Sequence, residues 1–210
     1  MPEYAVACLV QHGCKDITDS LDVQNCEQHP FTRGGFGAIY RGILKDGRMV
    51  AIKCVETLNE YEAPDYGILP ILGLATFQGR IALVAPWMSA GSLKRHIVQG
   101  SLRAPLQISI QLAAAVEYLH GNGVIHGDIK PDNILLTHQG KAQLADFGSA
   151  RLTHATALDF TRTSTFNFTM RFAAPEILGE ESRIFTVASD IYALGMTIFV
   201  GDIITALGAS

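Results

Sequence analysis

The amino-acid sequence predicts an α+β fold, with short strands in its first half and helices in its second. Three observations lead there. Between Phe31 and Ala85, apolar runs such as Ile81-Ala82-Leu83-Val84-Ala85 are punctuated by glycines and by the turn signal Asp46-Gly47, the pattern of strands joined by hairpins. From Ala104 to His120, Ile108, Leu112, Val116 and Leu119 recur at helical spacing before Gly121-Asn122-Gly123 stops the run. Val187, Ile191, Leu194 and Ile198 mark a second core helix, apolar nearly all round.

Composition narrows the function classes. With 48% hydrophobic and 17% charged residues among 210, the chain can bury a core and is not a disordered segment. A net charge of -4 and the lack of any Lys/Arg run argue against nucleic acid as a partner. The apolar run Ala5 to Val10 is too short to span a bilayer or to serve as a secretory signal, so no membrane association is expected. Cys8, Cys14, Cys26 and Cys54 show no zinc spacing and no dense framework. Reduced thiols and an intracellular, cytoplasmic location follow as expectations. No internal repeat or low-complexity block occurs.

In chain order, residues 1–27 read as an N-terminal extension, polar and turn-like over Asp16 to Asp22. Thr32-Arg33-Gly34-Gly35-Phe36-Gly37 follows, a strand–turn–strand whose glycines let backbone N–H groups approach phosphate oxygens. Lys53 ends Val50-Ala51-Ile52-Lys53 on a β-like strand. Only twelve residues separate Val55 from Ile68. They include Pro64 and Gly67, both helix-breaking. Thr57-x-x-Glu60 matches a capping box, which allows a short helix from Leu58 to Ala63. Ile68 to Gly73 is read as the approach to a strand and its start, and another strand is expected over Ile81 to Ala85, followed by Pro86-Trp87-Met88 and a turn at Ser89-Ala90-Gly91.

The chemistry centres on His126-Gly127-Asp128-Ile129-Lys130-Pro131-Asp132-Asn133 and on Asp146-Phe147-Gly148, thirteen residues past Asn133. Two carboxylates and an amide on neighbouring loops suit a hard divalent cation, since Mg2+ takes oxygen ligands and keeps several waters. A carboxylate left off the metal can accept a proton from an incoming hydroxyl.

H-x-D-x-x-x-x-N, then D-F-G, then Ala174-Pro175-Glu176, with Val50-Ala51-Ile52-Lys53 upstream, resembles the signature set of eukaryotic-type protein kinases. The resemblance runs from about Phe31 to Val200. D-x-K-P-x-N is similar to Ser/Thr-directed members, within the tyrosine-kinase-like group. It implies a two-lobe domain over 28–210, with a β-rich small lobe (28–85), a hinge (86–88) and a mainly helical, incomplete large lobe (89–210). ATP and Mg2+ are the implied cofactors, and a protein Ser/Thr hydroxyl is the implied acceptor. By the same resemblance Gly34, Gly35 and Gly37 would cover the phosphates and Lys53 would reach them. Ala51, Pro86, Met88 and Leu135 would contact the nucleotide, with Ala85 as a small gatekeeper. Asp128 would orient and deprotonate the hydroxyl, Lys130 would steady the transferring phosphate, and Asn133 and Asp146 would hold metal. Asp190 matches the buried Asp that ties down the catalytic-loop backbone, and His126 is expected to pack in the core.

Several positions depart from the family pattern. Thr32 replaces the first glycine of G-x-G-x-x-G, and Gly127 replaces the usual Arg, which leaves a phosphorylated activation loop (Thr161, Thr163, Ser164, Thr165, Thr169) without that docking partner. Neither Glu60 nor Glu62 sits where a Lys53 partner is usual, and the chain stops at Ser210, before further large-lobe helices. Three readings follow: a protein serine/threonine kinase, a nucleotide-binding pseudokinase or interaction module, and a truncated inactive fragment.

Overall fold

The computed structural model describes residues 14–34, 37–54, 67–152, 171–178 and 185–208. The chain divides into two compact units, Met1–Pro64 with Pro70–Trp87, and Asp65–Leu69 with Met88–Ser210.

The first unit is built on a five-stranded sheet in which every pairing is antiparallel. Its strands are β1 (Thr32–Gly34), β2 (Gly37–Ile43), β3 (Met49–Cys54), β4 (Gly73–Phe77) and β5 (Arg80–Pro86), in the order β1-β2-β3-β5-β4. Two tight turns set the register. At the expected Asp46-Gly47 hairpin, Gly47 adopts φ +87° and the Asp46 carboxylate accepts the Arg48 N–H at 3.1 Å. Between β4 and β5 the loop is Gln78-Gly79, both at positive φ (49° and 70°), a type I′ geometry that matches strand twist.

Alternation along β3 sorts its side chains. Val50, Ile52 and Cys54 are buried in the core with Phe77, Ala82 and Val84, while Ala51 and Lys53 are half-buried on the other face. Tyr40 meets Phe77 edge-on at 5.1 Å.

Residues 14–27, read from sequence as an extension, contribute to this core through Ile17, Leu21 and Cys26. Their backbone runs beside β4: Leu74 N–H donates to Lys15 O and Ile17 N–H to Leu74 O, each at 2.8 Å. Gly73 permits the approach, because a Cβ there would lie 2.5 Å from Lys15 O. Short polar stretches hide such packing from a periodicity reading, since the apolar anchors are isolated.

Of the expected strand and its approach over 68–73, Ile68 forms a single parallel bridge with Leu144 in the second unit, while Leu72 N–H donates to Val84 O at 2.7 Å in the first. Pro70 has no N–H to continue a ladder, and β4 begins only at Gly73. Helix α1 (Leu93–Val98) precedes α2 (Pro105–Gly121), which opens on a proline at its first position. Ile108, Leu112, Ala115, Val116 and Leu119 bury one face of α2, as the spacing predicts. Four short strands then carry the loops of interest: β6 (Val124–Ile125), β7 (Ile134–Leu136) paired with β8 (Ala142–Leu144), and β9 (Arg151–Leu152) paired with β6. Helix α3 (Pro175–Leu178) follows, then α4 (Val187–Gly208). At the start of α4, Thr186 and Ser189 exchange side-chain-to-backbone bonds of 2.8 and 3.1 Å, a reciprocal cap. The expected helix over Leu58 to Ala63 with Glu60 and Glu62, Gly35, and the hydroxyl-rich segment 161–169 lie outside the described residues.

Candidate active site

The loop between β6 and β7 is held by polar bonds to buried groups. Asp128 and Asn133 are each 8% exposed and His126 is fully buried. Lys130 Nζ donates to Asp128 Oδ2 at 2.6 Å. Asn133 Nδ2 donates to the Asp128 carbonyl at 2.8 Å and to Asp128 Oδ2 at 2.9 Å. Asn133 therefore turns its NH2 toward Asp128, which leaves Oδ1 as the atom with which it would meet a cation. Burial raises the Asp128 carboxyl above its ordinary range, and Lys130 and Asn133 oppose that rise.

Two ties bring the second acidic residue to this loop. Ala145 N–H donates to Asn133 O at 2.8 Å, so Asp146 follows a residue bonded directly to Asn133. Asp146 itself sits in the left-handed region, φ +64° and ψ +72°, with Oδ1 accepting the Gly148 N–H at 3.3 Å. Asp tolerates this conformation better than most residues because its short side chain bonds locally.

His126 joins the two segments. Its Nδ1 accepts the Asp128 N–H at 3.2 Å, so Nε2 carries the proton and donates to Ala145 O at 3.1 Å. Only the neutral ring can make both bonds. Burial, the dominant influence, lowers its pKa against the opposing charge of Asp190. The Phe147 ring packs 4.9 Å away.

Asp190 on α4, 1% exposed, anchors the start of the loop. Its Oδ2 accepts the His126 N–H at 2.7 Å and its Oδ1 the Gly127 N–H at 2.9 Å. A third donor, His120 Nε2, lies 3.0 Å from Oδ2. Gly127 adopts φ +76°, and a Cβ there would stand 2.9 Å from Ser149 O. A shallow pocket beside Asp128 is lined by Phe172, Ala174, Ile177 and Phe185.

The remaining positions singled out from sequence divide between the units. In the first, Lys53 and Ala51 share the face of β3 opposite the hydrophobic cluster, with Lys53 in register with Ile39 and Leu83. Gly34 and Gly37 pair across the β1–β2 turn, and Pro86 ends β5 opposite Val50. In the second unit, Met88 is half-buried and its carbonyl accepts the Gly91 N–H at 3.0 Å. Leu135 is half-buried between the buried Ile134 and Leu136. Ala85 of β5 is buried.

A family model described as "Protein kinase domain" matches residues 66–201. The chain belongs to the protein kinase domain family. Over 187 residues it is 37% identical to serine/threonine-protein kinase PknK of Mycobacterium tuberculosis, covering 80% of this chain and 16% of that protein. Over 227 residues it is 31% identical to the Arabidopsis thaliana leaf rust 10 disease-resistance locus receptor-like protein kinase-like 2.4, covering 98% of this chain and 36% of that protein. The kinase domain thus spans well under two thirds of the length of these relatives.

Sequence reading missed three features of this domain. His120 as the third partner of Asp190 is one, because a lone His at a helix end carries no motif. Lys94, paired with Asp132 at 2.7 Å, is another, since the two are far apart in sequence. The third is the backbone at Gly127, where the missing Arg marked a lost charge but the glycine is also set by φ and by Ser149.

Two outcomes follow. Gly127→Ala lowers stability by about 1–2 kcal/mol or more, the cost of an L-residue in the left-handed region, read as a drop in the midpoint of denaturant unfolding. The His126 pKa is depressed in the folded chain, so as pH falls below 6.5 the unfolded state takes up a proton the native ring refuses. Unfolding free energy then decreases with a slope approaching ~1.4 kcal/mol per pH unit from this group. His126→Gln, which does not titrate, flattens that part of the pH–stability curve.

Proposed function

We propose that this domain catalyses ATP- and Mg2+-dependent transfer of the γ-phosphoryl group to a Ser/Thr hydroxyl of a protein. The observation that carries the reading is the Asp128 carboxylate, buried, bonded by Lys130 and Asn133, and set beside the segment bearing Asp146. Asp128 is the group to accept the hydroxyl proton. Its elevated pKa, driven by burial, suits a base more than a fully solvated carboxylate would. Lys130, bonded to that carboxylate, is placed to meet the negative charge of the group in transfer.

Asn133 Oδ1 and the Asp146 carboxylate are the oxygen donors for Mg2+. Among the described residues no group of three or more His, Cys, Asp or Glu forms a metal site. That donor set fits an ion held by one or two protein oxygens, phosphates and waters, and it fits Mg2+ better than a transition metal. When bound, Mg2+ supplies neutralisation of the triphosphate charge.

From the first unit, Lys53 is the partner of the α- and β-phosphates, with Gly34, Gly35 and Gly37 covering them. Ala51, Pro86, Met88 and Leu135 are the nucleotide contacts. The names of the curated relatives support Ser/Thr as the acceptor. An intracellular, cytoplasmic setting belongs to this reading on the spacing of the four cysteines in the sequence, which shows no dense framework. No described helix is long and apolar enough to cross a membrane.

Purified protein assayed with labelled ATP and a Ser/Thr-containing acceptor protein tests this. Transfer should require Mg2+ and fall by at least about 10²-fold in Asp146→Ala, the scale seen when a group that stabilises transition-state charge is removed. Equal transfer by the two proteins removes the assignment.

A further inference from the structure

We propose that Lys94 sets the acceptor class of this domain. By occupying the Asp132 carboxylate it denies basic side chains a partner beside Asp128, so that Ser/Thr segments without flanking Arg or Lys are the ones accepted. The inference rests on the phosphoryl-transfer reading above.

Packing on either side of Lys94 holds it in place. Leu93 and Ile97 are buried four residues apart, which turns Lys94 to the exposed face of α1. Ahead of it, the Ser92 hydroxyl accepts the Arg95 N–H at 3.4 Å, and Gly91 O accepts the Leu136 N–H at 2.9 Å. Ser92 also bridges to Leu135. The start of α1 is therefore fixed against β7, the strand into which the Asp128 loop runs. From there Lys94 Nζ donates to Asp132 Oδ1 at 2.7 Å.

Asp132 stands one residue from the chemistry. The next side chain, Asn133, donates to the Asp128 carbonyl at 2.8 Å and to Asp128 Oδ2 at 2.9 Å. A polypeptide whose hydroxyl reaches Asp128 advances by only about 3.3–3.6 Å per residue, so the residues flanking that hydroxyl pass close to this turn. The loop 126–133 carries two carboxylates. That of Asp128 is 6% exposed and bonded by Lys130, whereas that of Asp132 is 40% exposed. An incoming cation would find Asp132.

Left alone, the Asp132 charge would draw Arg or Lys of an acceptor. Paired with Lys94 it presents no net charge, and the ammonium opposes a second cation, which is selection by exclusion. Arg95, exposed beside it on α1, adds to that opposition. An exposed pair of this kind adds little to stability. Its effect is on which charges come near.

The test uses the full chain with ATP, Mg2+ and synthetic Ser peptides in an Ala background, with Arg or Glu placed singly at each position within a few residues of the Ser. The ratio kcat/KM is read for the unaltered protein, for Lys94→Met, which keeps the apolar stem, and for Lys94→Met with Asp132→Asn. The unaltered protein is expected to use no Arg peptide better than the Ala peptide. Lys94→Met should gain about fivefold for Arg at one position or more, the scale of an exposed charge pair. That gain should fade at high ionic strength and vanish when Asp132 loses its charge. An Arg preference in the unaltered protein, no gain in Lys94→Met, or a gain that survives Asp132→Asn overturns the proposal. So does an equal change for Arg, Ala and Glu peptides, which marks a staple between α1 and the loop. If the unaltered chain phosphorylates no peptide, the functional assignment falls, and peptide affinity by fluorescence anisotropy decides the role of Lys94. Labelled Arg peptide bound about fivefold more tightly by Lys94→Met than by the unaltered protein supports it. Equal binding, or none, overturns it.

Discussion

A carboxylate buried on an apolar helix needs donors, and the placement of the loop bearing Asp128 depends on how Asp190 finds them. An isolated buried charge is so costly that the group must be paired or neutralised. Asp190 accepts two consecutive backbone N–H groups, which orients the peptide planes of His126 and Gly127 as no side-chain contact alone would. The glycine at 127 is what lets the backbone turn there, at φ +76° and against Ser149. His126 then carries the constraint across to the segment before Asp146. Buried polar bonds add to the packing of Ile125, Ile129 and Ile134, and each buried polar partner makes the others harder to remove.

Much of this was legible in the sequence because the signals are local. The hairpin at Asp46-Gly47, the buried face of α2 and the strand bearing Lys53 each follow from a short-range rule, and the structure obeys them. The packing of residues 14–27 was not legible. Ile17, Leu21 and Cys26 anchor it singly, with polar residues between, so neither helical nor strand periodicity appears. The reading of Ile68 to Gly73 as a strand with its approach did not say where the strand begins, which is Gly73. An apolar run containing Pro70 looks like a strand until one asks where its N–H groups would go.

The residues proposed for the site divide in the same way. Asp128, Lys130 and Asn133 stand within six positions of one another, and the structure brings all three to one carboxylate. Asp146 reaches the group by a β7–β8 hairpin, a connection that motif order implied but spacing alone did not. His120 and Lys94 went unread because each meets its partner across a long stretch of chain, His120 seventy residues from Asp190 and Lys94 thirty-eight from Asp132. Those partners are chosen by tertiary structure, and single-sequence reasoning has no purchase on them.

The measurement that bears most directly on the convergence of these loops is paramagnetic broadening by Mn2+, added with ATP as a stand-in for Mg2+. If Asn133 and Asp146 share one cation, the Asn133 side-chain NH2 and the Asp146 amide broaden first, and excess Mg2+ reverses the effect. Broadening that spares both residues while reaching exposed acids such as Asp16 and Asp19 would contradict a shared site.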